Sequence, residues 1–257
     1  MEMKKDWDIW EFVRGGSLPG KIISPYDHVE MVFVQAGKFA FGIDEPDLVQ
    51  IFALDGKTNP IFMTEAPSKQ VFLDDYYIDA YLVTNARYAE FIQETGHKKP
   101  LLWEEVGWNH PLQPVVGLGW DDARRYATWV GKKLPTEEQW EKAARGTDRR
   151  WWPWGNDFIA GHVNSRELQI GRTTRVTRFL KGVSPYGCYD MSGNVWEMCE
   201  GFWMPNMPVM RGGCFLGRAT FVRTTVRWSP EDPVGGAHWL GFRCVKEIFR
   251  NNVRAIA

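Results

Sequence analysis

The chain has 257 residues, of which 44% are hydrophobic and 25% are charged. This composition is typical of a globular protein with a core, and it argues against a disordered chain or a coiled coil. Thirty-one Lys and Arg residues balance 32 Asp and Glu residues, so the net charge of −1 gives no reason to expect a nucleic-acid partner. No apolar run approaches the roughly 20 residues of a membrane span, and no signal peptide is evident, so the default expectation is a cytoplasmic protein.

Tryptophan and glycine are unusually frequent, with 14 and 25 residues respectively. Tryptophan buries a large area and glycine adopts backbone conformations that other residues avoid, so we expect a loop-rich domain held by aromatic packing. The four cysteines show no CxxC spacing, which excludes a zinc ribbon or a thioredoxin motif. A reduced state is the default expectation for them.

The first half of the chain predicts short strands followed by helices. Residues 1–29 are interpreted as a polar lead-in to one domain over residues 30–250, with a tail at 251–257. Short strands are predicted at 31–34 and from Gly37 through residue 41, and the β-branched and aromatic residues at 71–80 predict another. Residues 43–70 contain several prolines and no clear periodicity, so they are interpreted as a long loop.

Three short helices are predicted from residues that favour helix starts and stops. Their start and stop residues are, in chain order, Thr84 or Asn85 and Gly96, Asp121 and Gly131, and Thr136 and Gly146. In the third helix, Thr136 and Gln139 have the spacing of a capping box. From Trp151 onward no helical pattern is evident.

A series of motifs makes the chain recognisable. They are His110-Pro111, Trp120-Asp-Asp-Ala123, Leu134-Pro-Thr-Glu137, Ala143-Ala-Arg-Gly146, Trp152-Pro-Trp-Gly155, Tyr189-Asp-Met-Ser-Gly-Asn-Val-Trp-Glu197, Arg211-Gly-Gly213 and Gly241-Phe-Arg243. This ordered set resembles the formylglycine-generating-enzyme (sulfatase-modifying factor) family over roughly residues 30–246. The resemblance implies an α+β, C-type-lectin-like fold in a single domain with little regular secondary structure. The family includes copper- and oxygen-dependent oxidases, sulfoxide synthases and ligand-binding proteins, so it implies a fold more firmly than a function.

The copper-oxidase activity is not expected here. The resemblance places the family's two copper-binding cysteines at Gly217 and Val222, and neither residue offers the thiolate that Cu(I) prefers. The iron-dependent sulfoxide synthases use histidines, but the five histidines of this chain show neither HxxxH nor HxH spacing.

A calcium site is implied by the resemblance. The family's ligands map to Asp190, Gly193, Val195 and Glu197, which would supply two carboxylates and two backbone carbonyls. These are suitable oxygen ligands for Ca²⁺. The alternative is that Asp190 and Glu197 only accept hydrogen bonds from the backbone.

Three residues are candidates for a rearranged catalytic site: Cys214, Cys199 and His238. Cys214 replaces the serine that usually follows the Gly-Gly pair of the family. A thiol with a lowered pKa could be a nucleophile or a metal ligand, whereas a buried thiol behaves as a small hydrophobic group. A Cys199–Cys214 disulfide is also left open. The arginines that match the family's structural set are Arg211, Arg223, Arg227 and Arg243.

Two classes of function follow. The favoured hypothesis is a ligand-binding, protein-binding or accessory module for a protein, peptide or small molecule. The side chains expected to contact that ligand are Phe215, Leu216, Arg218, Thr220, Arg227, Trp228, His238 and Trp239. The alternative is a metal- and oxygen-dependent oxidoreductase of the formylglycine-generating or sulfoxide-synthase type with a rearranged active site.

Overall fold

The structure is a computed structural model that describes residues 7–12, 17–205, 207–229 and 236–248. The strands of these ranges are β1 (Lys21–Ile23), β2 (Glu30–Val34), β3 (Gly37–Phe41), β4 (Lys69–Leu73), β5 (Tyr76–Asp79), β6 (Trp196–Met204), β7 (Met207–Arg211), β8 (Arg227–Trp228), β9 (Leu240–Gly241) and β10 (Val245–Glu247). The helices are α1 (Glu45–Asp55), α2 (Pro60–Met63), α3 (Asn85–Thr95), α4 (Trp120–Trp129) and α5 (Glu137–Arg145). Mixed short helices and strands, joined by long irregular segments, make up the fold.

Two four-stranded sheets form the framework. The first has the antiparallel order β1-β2-β5-β10, and its central strand β5 is buried along its whole length. The second has the order β8-β7-β6-β9, in which β6 pairs antiparallel with β7 and parallel with β9. Strands β3 and β4 form a separate antiparallel pair.

Helix α5 packs between these sheets. Its Trp140 is fully buried beside the strand residues Val32 and Tyr76. The hydroxyl of Tyr76 donates a 2.6 Å hydrogen bond to the carbonyl of Gln139 in the same helix. A buried tryptophan contributes a large apolar area, so α5 connects the two sheets through one core.

The three predicted helices are confirmed. At the start of α5, the Thr136 hydroxyl accepts the Gln139 N–H at 3.2 Å and the Gln139 side chain accepts the Thr136 N–H at 2.9 Å. The predicted start of α4 at Asp121 is wrong, because Gly119 is the cap residue. The Asp122 carboxylate accepts the Gly119 N–H at 3.0 Å, which is the bond that the third helical residue makes back to the cap residue in a capping box.

Residues 43–70 are not one long loop, because they contain α1 and α2. Asp44 and Asp47 form a capping box at the start of α1, and Gly56 ends it in the left-handed conformation with φ 75°. The sequence shows no clear apolar periodicity for this helix, because Ile51 and Asp55 are its only buried side chains.

Part of the expected lead-in belongs to the core. The Trp7 indole N–H donates a 2.9 Å hydrogen bond to the Val130 carbonyl, and Ile9 and Ile22 are buried beside it. These isolated apolar residues lie in a charged segment, which is why the sequence alone indicated a polar lead-in. The expected tail at 251–257 lies outside the described residues. No helix within the described ranges is long and apolar enough to cross a membrane.

Buried arginines connect the loops, as expected for a structural set. Each one bonds a glutamate carboxylate: Arg223 with Glu65, Arg243 with Glu197, Arg211 with Glu141 and Glu137, and the half-buried Arg227 with Glu137. Since an unpaired buried charge is costly, these pairs satisfy the guanidinium groups while joining distant segments.

Candidate functional site

An open groove of about 520 Å³ lies beside the second sheet. Three tryptophans form its aromatic wall: Trp196 from β6, Trp228 from β8 and Trp239 just before β9. The ring centres of Trp196 and Trp228 are 5.7 Å apart, and those of Trp228 and Trp239 are 5.4 Å apart. We call this the aromatic groove. Its rim is completed by Asn59, Ile61, Arg166, Cys214, Leu216, Gly217, Arg218 and Phe221.

The rim loop after β7 is shaped by the Gly-Gly pair. Gly213 has φ 71°, and a Cβ on it would lie 2.1 Å from the carbonyl oxygen of Phe221. Only glycine lets the two backbone segments approach so closely. The loop then turns tightly, because the Gly217 N–H donates a 2.8 Å hydrogen bond to the Cys214 carbonyl. This turn projects Leu216, whose residue surface is 52% exposed, over the groove.

The rim carries positive charge. Arg166 and Arg218 are both exposed, and Arg218 lies 3.5 Å from the buried carboxylate of Asp55. No ion pair involves Arg166 in the part of the chain that the structure describes. The groove therefore combines an aromatic wall with guanidinium groups at its edge.

The cysteines have the character of buried apolar groups. Cys214 lines the groove but is only 5% exposed, and burial raises the pKa of its thiol to about 11. Cys199 lies in β6, away from the groove, and burial raises the pKa of its thiol well above the usual range. A thiol with a raised pKa is protonated at neutral pH and is a poor nucleophile. All four cysteines are free, so Cys199 and Cys214 form no disulfide.

Four of the predicted ligand contacts lie together in the groove: Leu216, Arg218, Trp228 and Trp239. The prediction that Phe215 and Thr220 contact the ligand from the surface needs correction, because both side chains are buried. Phe215 packs 5.9 Å from Trp108, and Thr220 donates a hydrogen bond to Asp55 at 2.7 Å.

Arg227 and His238 also lie apart from the groove lining. The Arg227 guanidinium pairs with Glu137 at 2.5 Å and lies over the Trp203 ring. The exposed His238 packs edge-on against Trp108, 5.4 Å away between ring centres. The catalytic candidates Cys199, Cys214 and His238 are therefore not assembled around one cavity.

The two positions that correspond to the copper cysteines lie next to each other, because a Cβ on Gly217 would be 3.2 Å from Cγ1 of Val222. Gly217 is on the groove rim, whereas the Val222 side chain is fully buried. Neither residue has a side chain that coordinates a metal, so the donor set that copper needs does not fit this loop.

The expected calcium residues are close in the chain, but their oxygens are partly in use. Glu197 accepts hydrogen bonds from Arg243 with both carboxylate oxygens, at 2.6 and 2.8 Å, and the Gly193 carbonyl accepts the Val195 N–H at 2.8 Å. Asp190 is buried with one carboxylate oxygen unpartnered, and burial raises its pKa to about 7. Among the described residues, no group of three or more His, Cys, Asp or Glu side chains is placed to hold a metal. Calcium at these residues stays a prediction.

Several groove residues were missed by the sequence analysis: Asn59, Ile61, Arg166 and Trp196. Asn59 caps α2 by accepting the Ile61 N–H at 3.3 Å. An Asn-Pro dipeptide before an apolar run is a helix-start signal, and it could have revealed this element within residues 43–70.

Comparison with known proteins agrees with this architecture. Residues 23–248 match the family model of the sulfatase-modifying factor enzyme 1-like domain. The formylglycine-generating enzyme of Bos taurus is 29% identical, over 90% of this chain and 78% of that protein. The inactive C-alpha-formylglycine-generating enzyme 2 of the same organism is 30% identical, over 84% of this chain and 87% of that protein.

A solved structure gives the same result. The chain superposes on PvdO from Pseudomonas aeruginosa with a TM-score of 0.73 and 25% sequence identity, over 90% of this chain and 99% of that one. The shared fold, the motif order and the family match lead to one conclusion. This chain belongs to the formylglycine-generating-enzyme family, with a sulfatase-modifying factor enzyme 1-like domain over residues 23–248.

Proposed function

We propose that this domain is a ligand-binding or accessory module and that the aromatic groove holds its ligand. The observation that carries the proposal is the wall of three tryptophans, which opens next to Gly217, where the copper-dependent relatives are expected to have a cysteine. An aromatic wall of this kind binds apolar or aromatic groups well, because tryptophan supplies a large rigid contact area. The groove volume is within the range of small-ligand sites.

The rim charge narrows the ligand class. Arg166 and Arg218 would pair with a carboxylate or another anionic group through charge-assisted hydrogen bonds. The ligand that fits best is a peptide segment in which an aromatic or large apolar side chain lies beside Asp or Glu. The aromatic group would pack on Trp228, and the carboxylate would reach Arg166.

The oxidoreductase hypothesis makes a different demand. It needs a reactive thiol or a transition-metal site among these residues, and the raised pKa of Cys214 argues against a thiolate at neutral pH. Elemental analysis of the purified protein, combined with titration of its thiols by iodoacetamide, separates the two hypotheses. Stoichiometric copper or iron, or rapid alkylation of Cys214 at pH 7, would refute the binding-module proposal.

The binding proposal is tested with a phage-displayed library of random heptapeptides selected on the purified protein. We expect enriched peptides to combine Trp, Phe or Tyr with Asp or Glu. Replacing Trp228→Ala or Arg166→Gln should weaken binding of an enriched synthetic peptide by about tenfold or more, the typical effect of losing a contact worth about 1.4 kcal/mol.

The matched control is Phe202→Ala, which removes an exposed aromatic side chain that does not line the groove. This variant should bind the enriched peptide within about twofold of the unmodified protein, since twofold corresponds to well under 1 kcal/mol. Equal enrichment on the Trp228→Ala variant, or equal loss of binding in the Phe202→Ala control, would contradict the proposed groove.

A further inference from the structure

A second, larger cavity of about 860 Å³ lies away from the aromatic groove. It opens between residues 107–113 and the loop 170–178. Arg172, Arg175 and Arg178 all line it, and so does His110, while no Asp or Glu among the described residues does. The cavity is therefore a concentrated positive site on a chain whose net charge is −1.

Side-chain hydrogen bonds from other segments fix the backbone of the loop that carries these arginines. The Gln113 side-chain amide donates to the Thr173 carbonyl at 2.8 Å, and the Asn164 amide donates to the Arg172 carbonyl at 2.9 Å. The Asn194 side-chain oxygen accepts the Thr174 N–H at 3.0 Å. Because Thr173 and Thr174 are buried while the arginine side chains are exposed, the backbone is fixed and only the guanidinium groups extend outward.

These arginines differ from the surface arginines that have a carboxylate partner. Arg149 and Arg150 each have a carboxylate partner, at 2.6 and 2.5 Å. Across the described ranges, Arg172, Arg175 and Arg178 have no carboxylate within 4 Å, although Arg178 lies over the ring of its neighbour Phe179. Three like charges lining one cavity repel each other, and an anion in the cavity would relieve that repulsion.

The residue chemistry indicates the kind of anion. Guanidinium groups form paired hydrogen bonds with phosphate and sulfate oxygens. The His110 ring nitrogen Nδ1 accepts the Leu112 N–H at 3.1 Å, so Nε2 carries the proton in the neutral ring and is a further donor. We propose that this cavity binds a tetrahedral oxyanion, a phosphate or sulfate group, carried by a small molecule. The fixed loop reduces the entropy that binding would otherwise cost.

Isothermal titration calorimetry of the full chain tests the proposal. The probes are inorganic phosphate and inorganic sulfate, each at constant ionic strength, with acetate as a carboxylate control. We expect saturable binding of phosphate or sulfate with one site per chain and no saturable binding of acetate. The anion that binds more tightly identifies whether the natural group is a phosphate or a sulfate. Constant ionic strength is needed because salt screens exposed charges.

Variants assign the binding to the cavity. Arg175→Gln should reduce the affinity for the preferred anion by about tenfold, since it removes a charge-assisted hydrogen bond. The triple variant Arg172→Gln, Arg175→Gln and Arg178→Gln should reduce that affinity by about 100-fold or more. The matched control is the triple variant Lys21→Gln, Lys38→Gln and Lys57→Gln, which changes the net charge equally at exposed positions outside the cavity. It should retain binding within about twofold, a difference far below the tenfold that one such bond supplies.

Two results would overturn the proposal. One is the absence of saturable binding of both phosphate and sulfate to the unmodified protein. The other is an equal loss of affinity in the arginine and lysine triple variants, because that would show a general charge effect. Near-ultraviolet circular dichroism shows whether each variant is folded, and if the triple arginine variant is not, the three single variants decide.

Discussion

Replacing Glu197→Gln distinguishes a structural arginine partner from a calcium ligand. The Glu197 carboxylate and the Arg243 guanidinium are both fully buried and bond at 2.6 and 2.8 Å. Although burial acts to lower it, the pairing with Glu197 raises the pKa of Arg243 above its ordinary value, so the guanidinium stays charged. The amide of glutamine has nearly the same shape but no charge, which leaves the arginine buried without a counter-ion.

The magnitude follows from that uncompensated charge. Removing one partner of a buried ion pair costs about 3–5 kcal/mol. A domain of this size loses about 2–4 °C of melting temperature per kcal/mol, so the melting temperature should fall by about 6–20 °C. Arg243 also donates to the Tyr189 carbonyl at 2.7 Å, and this bond survives the change, which favours the lower part of the range.

The assay is urea unfolding followed by tryptophan fluorescence, with and without EDTA. The matched control is Glu104→Gln, which removes an exposed partner of Lys99 and should change the free energy of unfolding by less than about 1 kcal/mol. A Glu197→Gln variant within about 1 kcal/mol of the unmodified protein in EDTA would refute the reasoning. So would a loss of stability that appears only with calcium present, because Glu197 would then act as a metal ligand.

Three further variants test local features. Burial raises the pKa of Asp79 to about 6, so the folded state holds this proton more tightly than the unfolded chain, in which the pKa of an aspartate is about 3.9. The contribution of Asp79 to the free energy of unfolding should therefore rise as pH falls from about 6 to about 4. The free energy of unfolding at pH 4 minus that at pH 7, measured by urea titration, should be about 2–3 kcal/mol lower in Asp79→Asn than in the unmodified protein. The same difference in both proteins would contradict this prediction. Thr136→Ala should cost about 1 kcal/mol in the same assay, because it removes the cap of α5, and a neutral result would count against the capping box. Gly213→Ala should lower the melting temperature far more than Gly56→Ala. Both glycines have positive φ, which costs about 1–3 kcal/mol for alanine, but of the two only Gly213 would bring the new Cβ against a backbone carbonyl. Equal losses of melting temperature in the two variants would argue against this close approach.

The sequence predicted the elements whose stability is local. Helix α5 was expected from Thr136 and Gln139, because a capping box involves residues only three positions apart. Helix α1 was missed because its apolar contacts depend on the tertiary fold rather than on a repeating pattern. The ion pair of Glu65 with Arg223 joins residues 158 positions apart, and no local signal in either segment indicates the other.

The same distinction applies to the aromatic groove. Trp228, Trp239 and Arg218 were expected there because the family resemblance places them in one variable region. Arg166 and Asn59 come from segments far away in the chain, so their presence on the rim depends on how the loops fold back. Family motifs indicate the part of a site that one segment carries, whereas the structure is needed for the part that distant loops contribute.

The arginines of this domain divide by burial, and that division predicts what each one does. A buried guanidinium without a partner is costly, and accordingly Arg211, Arg223 and Arg243 each bond a glutamate. An exposed guanidinium is solvated, so Arg166 at the aromatic groove and Arg175 in the cavity beside residues 170–178 can stay unpaired at little cost. Substituting the first group should therefore reduce the free energy of unfolding, whereas substituting the second should leave stability unchanged and reduce ligand affinity. An arginine that is exposed and lacks a carboxylate partner is, on this reasoning, a better guide to binding sites in the domain than the buried arginines of the family motifs.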